Sequence, residues 1–301
     1  MHEPHETHHA QPWPDAPVLL AVPGCGLPEE ALERAVALAR ARGAPLHLLR
    51  VLPRRQATLP ICTVLQSLAA LPAVELTVTM AEQTRAWLAQ ASVTAASLEV
   101  RVGELAAEAI ARGRVLGAGL VVLPGTGARV GRLATRIARA LRAPVLVARR
   151  HRRSDLIVAA SDLRDDHYPV LHAAAELAGR LAAPMVAVHN VAPPPRLETP
   201  DPLLPVALEV SATVAERHRE VLQAAVDGLE VPAEVVVSRA PHDEEAIVRE
   251  ASARQADLVV VGTRQGSFFS RLFTRELAAR VVQRALRSVL VLPLPSAPGP
   301  G

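Results

Sequence analysis

Residues 17–53 read PVLLAVPGCGLPEEALERAVALARARGAPLHLLRVLP, and residues 156–192 read LIVAASDLRDDHYPVLHAAAELAGRLAAPMVAVHNVA. A shift of 139 residues lays one on the other without a gap and places Ala44-Pro45 on Ala183-Pro184. Later blocks repeat as well: Leu120–Leu123 (LVVL) with Leu258–Val261 (LVVV), and LATRIARALRAPVLV with LAARVVQRALRSVLV. A period near 140 residues is far too long for a solenoid, so the chain is one domain written twice. Its 301 residues suit two domains with a proper core each.

Each copy alternates short apolar runs with amphipathic stretches. Val18–Val22, Leu46–Leu52, Leu98–Val102, Leu120–Leu123 and Val145–Ala148 read as strands buried on both faces. Leu156–Ala160, Met185–Val191, Ala233–Ser238, Leu258–Val261 and Val289–Leu292 repeat the series. Between them, Glu30–Arg42 and Pro169–Leu181 carry apolar residues at helical spacing, and Pro28 suits the first helical position. The pattern predicts an α/β fold: two repeated doubly wound, Rossmann-like domains, each with a five-stranded parallel sheet. The domains are placed at residues 16–150 and 154–295, joined by the basic linker from Arg149 to Ser154. An isolated last strand leaves an open edge, so Val145–Ala148 and Val289–Leu292 are expected to meet antiparallel, giving a pseudo-dimer within the chain.

Composition removes several function classes. All 33 basic residues are Arg, which excludes a P-loop lysine and Schiff-base chemistry. A net charge of +3 and 2% aromatics offer neither a nucleic-acid footprint nor stacking platforms. No apolar run is long enough for a membrane span. Met1 is followed by polar sequence, so no secretory signal is expected and the cytoplasm is the expected compartment. Cys25 and Cys62 form no disulfide framework. Residues 1–15 hold His2, His5, His8 and His9 without periodicity and read as a disordered polar tail, with metal binding the alternative. The Pro-rich stretch from Pro193 to Pro205 reads as a stiff surface loop or a lid.

In an open parallel sheet ligands sit beyond the strand carboxyl ends where the winding reverses. In the second copy Val158-Ala159-Ala160-Ser161-Asp162 and Val259-Val260-Val261-Gly262-Thr263-Arg264-Gln265-Gly266 should reach that point. With the closing Val-Leu-Val strand, the order and spacing of these blocks resemble the universal stress protein family in its tandem form. The resemblance covers nearly the whole chain. It implies five-stranded α/β domains that pair two-fold, and a division into members that bind ATP and members that do not. The binders share an Asp after the first strand and G-x2-G-x9-G-[S/T] after the fourth.

Carried over position by position, Asp162 matches the acidic residue, Val191 the apolar neighbour of an adenine and Gly262 the first glycine, with Thr263 beside it. Gln265 stands at the second glycine and Gly266 follows it. Arg275 and Glu276 replace the final Gly-Ser, and a carboxylate there repels a phosphate, so ATP is expected to bind poorly. The first copy departs further. Pro23 replaces the Asp and Pro124 the first glycine; Gly125 and Gly127 follow, and the loop to Gly131-Arg132 is shorter than the motif needs. Gly24-Cys25-Gly26 is followed by Glu29 where a dinucleotide fingerprint has its third glycine.

Other constellations carry less. Asp162, Asp165, Asp166 and His167 read as a solvated helix start rather than a metal or proton-transfer site. Ser161 and His189 lack a nucleophile elbow. No catalytic residue, metal site or obligatory cofactor is expected, and weak ATP or AMP binding is confined to the second domain. The resemblance implies a non-enzymatic stress-response factor with degraded nucleotide sites and protein partners of unknown identity, as a pseudo-dimer in one chain or a homodimer. No nucleic-acid or membrane partner is expected. The alternatives are a slow nucleotide hydrolase using Asp162 and Arg275, and a pure protein-interaction module with no ligand.

Overall fold

The structure, a computed structural model, describes residues 16–24, 26, 28–53, 73–127, 129–150, 155–163, 167–193, 204–264 and 274–294. The His-rich tail, Cys25, Cys62, Asp165, Asp166, Gln265, Gly266, residues 151–154, most of the Pro-rich loop and the stretch after residue 294 lie outside the described residues. In the first copy the elements run β1 (Val18–Pro23), α1 (Glu29–Ala41), β2 (Leu46–Leu52), α2 (Ala73–Gln90), β3 (Ser97–Val102), α3 (Leu105–Leu116), β4 (Leu120–Pro124), α4 (Val130–Leu141) and β5 (Val145–Ala148). The second copy repeats them as β6 (Ile157–Ala160), α5 (Pro169–Leu181), β7 (Met185–Asn190), α6 (Leu204–Asp227), β8 (Ala233–Ser238), α7 (Asp243–Ala253), β9 (Leu258–Arg264), α8 (Thr274–Arg284) and β10 (Ser288–Leu294).

The ten strands among the described residues form one sheet in the order β3-β2-β1-β4-β5-β10-β9-β6-β7-β8. Neighbours within each copy are parallel, and β5 meets β10 antiparallel with Leu146 opposite Leu290. The expected meeting of the last strands is present, so the two sheets continue into each other. Alternation along each strand divides the core. Val18, Leu20 and Val22 pack on one face with α1, α5 and α6, while Leu19 and Ala21 pack on the other with α3, α4, α7 and α8. Helices on both faces are why β1, β4, β5 and β6 are apolar at every position.

The junction is packed as a core. The buried stripe of α4 includes Gly131, Ala134, Thr135 and Ala138, small residues that let a neighbouring helix approach. A Cβ at Gly131 would overlap the carbonyl oxygen of Ala279 on α8. Arg34 of α1 forms an ion pair with buried Asp257 of the second copy, and Arg139 donates to Thr263 Oγ1. Arg149 is not the solvated linker residue its composition suggests. Its backbone N–H donates to Ser288 Oγ at 3.0 Å, and its guanidinium donates to the carbonyls of Arg287 at 3.1 Å and Val282 at 2.6 Å. Burial lowers its pKa from the usual guanidinium value. Its charge lies against the carboxyl end of α8, where a cation is favoured.

Two local expectations change. Pro28 is the N-cap of α1, in extended conformation, rather than its first helical residue. β9 runs three residues past Val261, because β10 continues beside it and pairs Leu292, Pro293 and Leu294 with Gly262, Thr263 and Arg264. Gly262 to Arg264 are therefore strand, not loop.

Candidate functional site

The order of strands reverses in the second copy between β6 and β9. Beyond their carboxyl ends lies a cavity of about 180 Å³. That exceeds the roughly 150 Å³ that admits a benzene ring, so a flat heterocycle fits. The floor is apolar, with Val170, Val188, Ile247, Val261, Leu277 and Leu294, and the rim carries Asp162, His189, Asn190, Asp243 and Arg264.

Local backbone builds this rim. Leu163 (φ 53°) and Tyr168 (φ 42°), the latter the N-cap of α5, both adopt the left-handed conformation. Such strain in non-glycine residues costs about 1–3 kcal/mol each and gathers at binding sites. Gly262 occupies a position where a Cβ would press on the side chains of Leu294 and Val170, so its lack of a side chain keeps the floor open. Asn190 locks the α7 side of the rim. Its amide oxygen accepts from the Ala240 N–H at 2.9 Å, and its amide nitrogen donates to the Ala240 carbonyl at 3.1 Å and to Asp243 Oδ1 at 2.8 Å.

Asp162 stands on the exposed rim, with Arg264 Nε 3.9 Å from its Oδ2. His189, at the end of β7, is buried. Its Nδ1 lies 2.8 Å from the Ser161 carbonyl and its Nε2 2.9 Å from His218 Nδ1 on α6. Burial lowers the pKa of His189. The Ser161 carbonyl and the carboxylates of Asp243 and Asp162 partly offset that, while the nearby His218 adds to it. Ser161 meets His189 through its backbone carbonyl, and its hydroxyl accepts instead from the Leu163 N–H, which excludes a serine–histidine catalytic pair.

Of the residues predicted from sequence, Asp162 and Gly262 lie in the wall. Thr263 does not serve the cavity through its side chain: strand alternation turns it to the opposite face, where it is 1% exposed and accepts from Arg139. Val191 lies one residue past the wall, its N–H donating to the Ser238 carbonyl; the wall here is His189 and Asn190. Arg275 and Glu276 fall in the first turn of α8, with side chains outside the described residues, as Gln265 and Gly266 lie outside them entirely. The residues missed were Asn190, Asp243 and Arg264. Arg264 was legible in principle, since it shares the parity of Gly262 on an extended strand.

The first copy builds the equivalent place differently. Arg50, one period before His189, is 4% exposed. Its guanidinium donates to the Gly24 carbonyl at 2.9 Å, to Thr84 Oγ1 at 2.9 Å and to the Met80 carbonyl at 3.4 Å. The Leu52 side chain lies against Gly24, and the Arg149 stem against Gly125. Pro23 and Pro124 end β1 and β4 without a carboxylate or an N–H to offer.

A model described as the universal stress protein family matches residues 16–149 and again 154–293. Among solved structures, a functionally unknown protein from Pseudomonas aeruginosa PAO1 is 20% identical, with 92% of each chain covered and a TM-score of 0.60. A universal stress protein from Archaeoglobus fulgidus DSM 4304 is 15% identical over 92% of this chain and 96% of its own, with a TM-score of 0.55. These are likenesses of fold. A universal stress protein from Archaeoglobus fulgidus in complex with dAMP is 18% identical over 45% of this chain and 94% of its own, with a TM-score of 0.29. No curated protein sequence matches the chain. No helix among the described residues is long and apolar enough to cross a membrane.

Proposed function

Because the chain belongs to the universal stress protein family, we propose that its second copy binds an adenine mononucleotide weakly while its first copy is a structural partner. The protein then acts in the cytoplasm without catalysis, by changing the surface it presents to protein partners. The observation that carries this reading is the asymmetry of the two strand-end clefts. An open cavity with Asp162 on its rim and Gly262 in its floor stands in one, and in the other Arg50 bridges the strand ends to the helix above. Asp162 would accept from the ribose or base, and Arg264 would pair with a phosphate. With Asp162 and Asp243 adding negative charge to the rim, a monophosphate is favoured over a triphosphate. Binding proceeds without turnover. The one imidazole in the described wall spends both ring nitrogens on Ser161 and His218, leaving none to act as a general base.

Titration calorimetry of the full chain with AMP and with ATP, followed by a phosphate-release assay, tests this. One AMP per chain, weaker ATP binding and no phosphate release are expected. Two sites per chain, or steady phosphate release, would overturn it.

A further inference from the structure

His189 is 8% exposed in the cavity wall, and the proton positions on its ring follow from its partners. A carbonyl oxygen only accepts, so the Nδ1 that lies 2.8 Å from the Ser161 carbonyl carries a proton. In the neutral ring Nε2 is then a bare acceptor, and His218 donates to it from Nδ1 across 2.9 Å. The rings meet edge to face at 67°, with centroids 4.8 Å apart. His218 stands on α6 and is half-buried, so one ring of the pair belongs to the wall and the other to the helix that covers it.

We propose that His218 is a positioning residue for the cavity. It locks the His189 ring into the wall while the pair carries at most one added proton, and it lets go when a second arrives.

Counting protons gives the reason. The pair has room for one added proton without losing the bond, because His218 Nε2 lies outside it and the Nδ1–H still donates. A second has only His189 Nε2 to occupy. That sets two N–H groups head to head across a bond of 2.9 Å, between two cations. The bond must break, and the more exposed His218 ring is the one that can leave.

The groups facing the pair pull both ways. Asp162, from the loop after β6, and Asp243, at the start of α7, favour the charged ring, whereas burial disfavours it. Arg264 of β9 lines the same cavity and opposes added positive charge, while α5 faces it with its N-cap Tyr168 and with Pro169 and Val170. On β8 the neighbour of His189 is Val237. With the lock open, the ring that forms one side of the ligand cavity is free to turn, so ligand affinity falls in acid. This consequence rests on the nucleotide reading above; the lock itself does not.

The test uses the full chain and adenosine as the probe, because the phosphate of AMP titrates in the same range. Imidazole nitrogen NMR at pH 8 should show His189 protonated at Nδ1 and bare at Nε2, with the pair titrating in two separated steps. His218→Ala removes the donor and should weaken adenosine about fivefold at pH 8. His218→Gln restores a neutral donor that does not titrate. It should recover most of that loss and flatten the fall in affinity between pH 8 and pH 5. Thermal unfolding checks that both variants fold. An Nε2-protonated His189 at pH 8 overturns the proposal, and so does a His218→Gln pH profile that follows the wild type. If adenosine binds at no pH while the NMR shows the locked pair, the nucleotide reading fails and the lock stands. If adenosine binds equally at every pH, the lock fails and the reading stands.

Discussion

Arg50 and His189 occupy the same place in the two copies, one period of 139 residues apart, at the end of the second strand of each. Both tie that strand to the loop after the first strand, through the Gly24 carbonyl in one copy and the Ser161 carbonyl in the other. Both also reach the helix above: Arg50 touches α2 at Met80 and Thr84, and His189 touches α6 at His218. The difference is one of length and charge. The guanidinium spans from loop to helix by itself, whereas the imidazole needs a second imidazole to complete the bridge and stands in a cavity wall. A duplicated fold has thus kept one geometry and given it two uses. The glycine positions diverge in the same way: Gly131, which stands opposite Arg275 in the repeat, serves the packing of α4 on α8.

The largest effect should come from the packing side of this comparison. Gly131→Leu would force α4 off the Ala279 backbone of α8. A loss of about 3 kcal/mol is expected, as for a severely overpacked site, read from the denaturant midpoint. A midpoint unchanged by this variant would mean that the two copies do not rely on each other.

Converting Arg50 comes next. Arg50→His leaves the Met80 carbonyl and Thr84 without their guanidinium donor and should cost about 1–3 kcal/mol. It should not create a second site, because Pro23 offers no carboxylate. Calorimetry on this variant with AMP should still give one site per chain. A stoichiometry of two would show that Arg50 alone separates the copies.

A smaller change falls on the binding side. Asp162→Ala should weaken AMP about tenfold, or ~1.4 kcal/mol, without moving the unfolding midpoint. An unaltered AMP isotherm would remove Asp162 from the site.

The smallest effect is on stability against pH. His189 has its pKa lowered in the folded state, so the unfolded chain binds more protons, and stability rises with pH. The contribution is complete above the ordinary histidine value of about 6.5 and is lost as pH falls below it. His47 in the first copy is lowered as well, by burial and then by Arg112, and acts in the same direction. Midpoints measured from pH 8 to pH 5 should therefore fall less steeply in His189→Gln than in wild type. Arg50 does not titrate in this range, so the part that His189→Gln removes belongs to the second copy. Parallel curves for the two proteins would contradict this assignment.

Much of this is legible in the chain itself. The gapless repeat predicts two like halves. Doubly apolar strands demand helices on both faces, and an uncovered last strand demands a neighbour, which is how β5 and β10 come to be adjacent. Asp162 and Gly262 also follow from position along the chain, because a cleft at the reversal of strand order is a property of the topology. These features depend on periodicity and order, which a linear sequence carries in full.

Tertiary structure decided which side chains face the cavity. Thr263 and Arg264 are adjacent in sequence, yet only the length of β10 keeps β9 extended past Val261 and so sends one to the junction and the other to the rim. Arg149 reads as a solvated linker residue until the carboxyl end of α8 is brought against it. His218 has no local signal at all, since it lies 29 residues from its partner and meets it only because α6 folds back over β7. Burial, hydrogen-bond partners and face are set by neighbours distant along the chain, so these assignments arise only when the sheet is assembled.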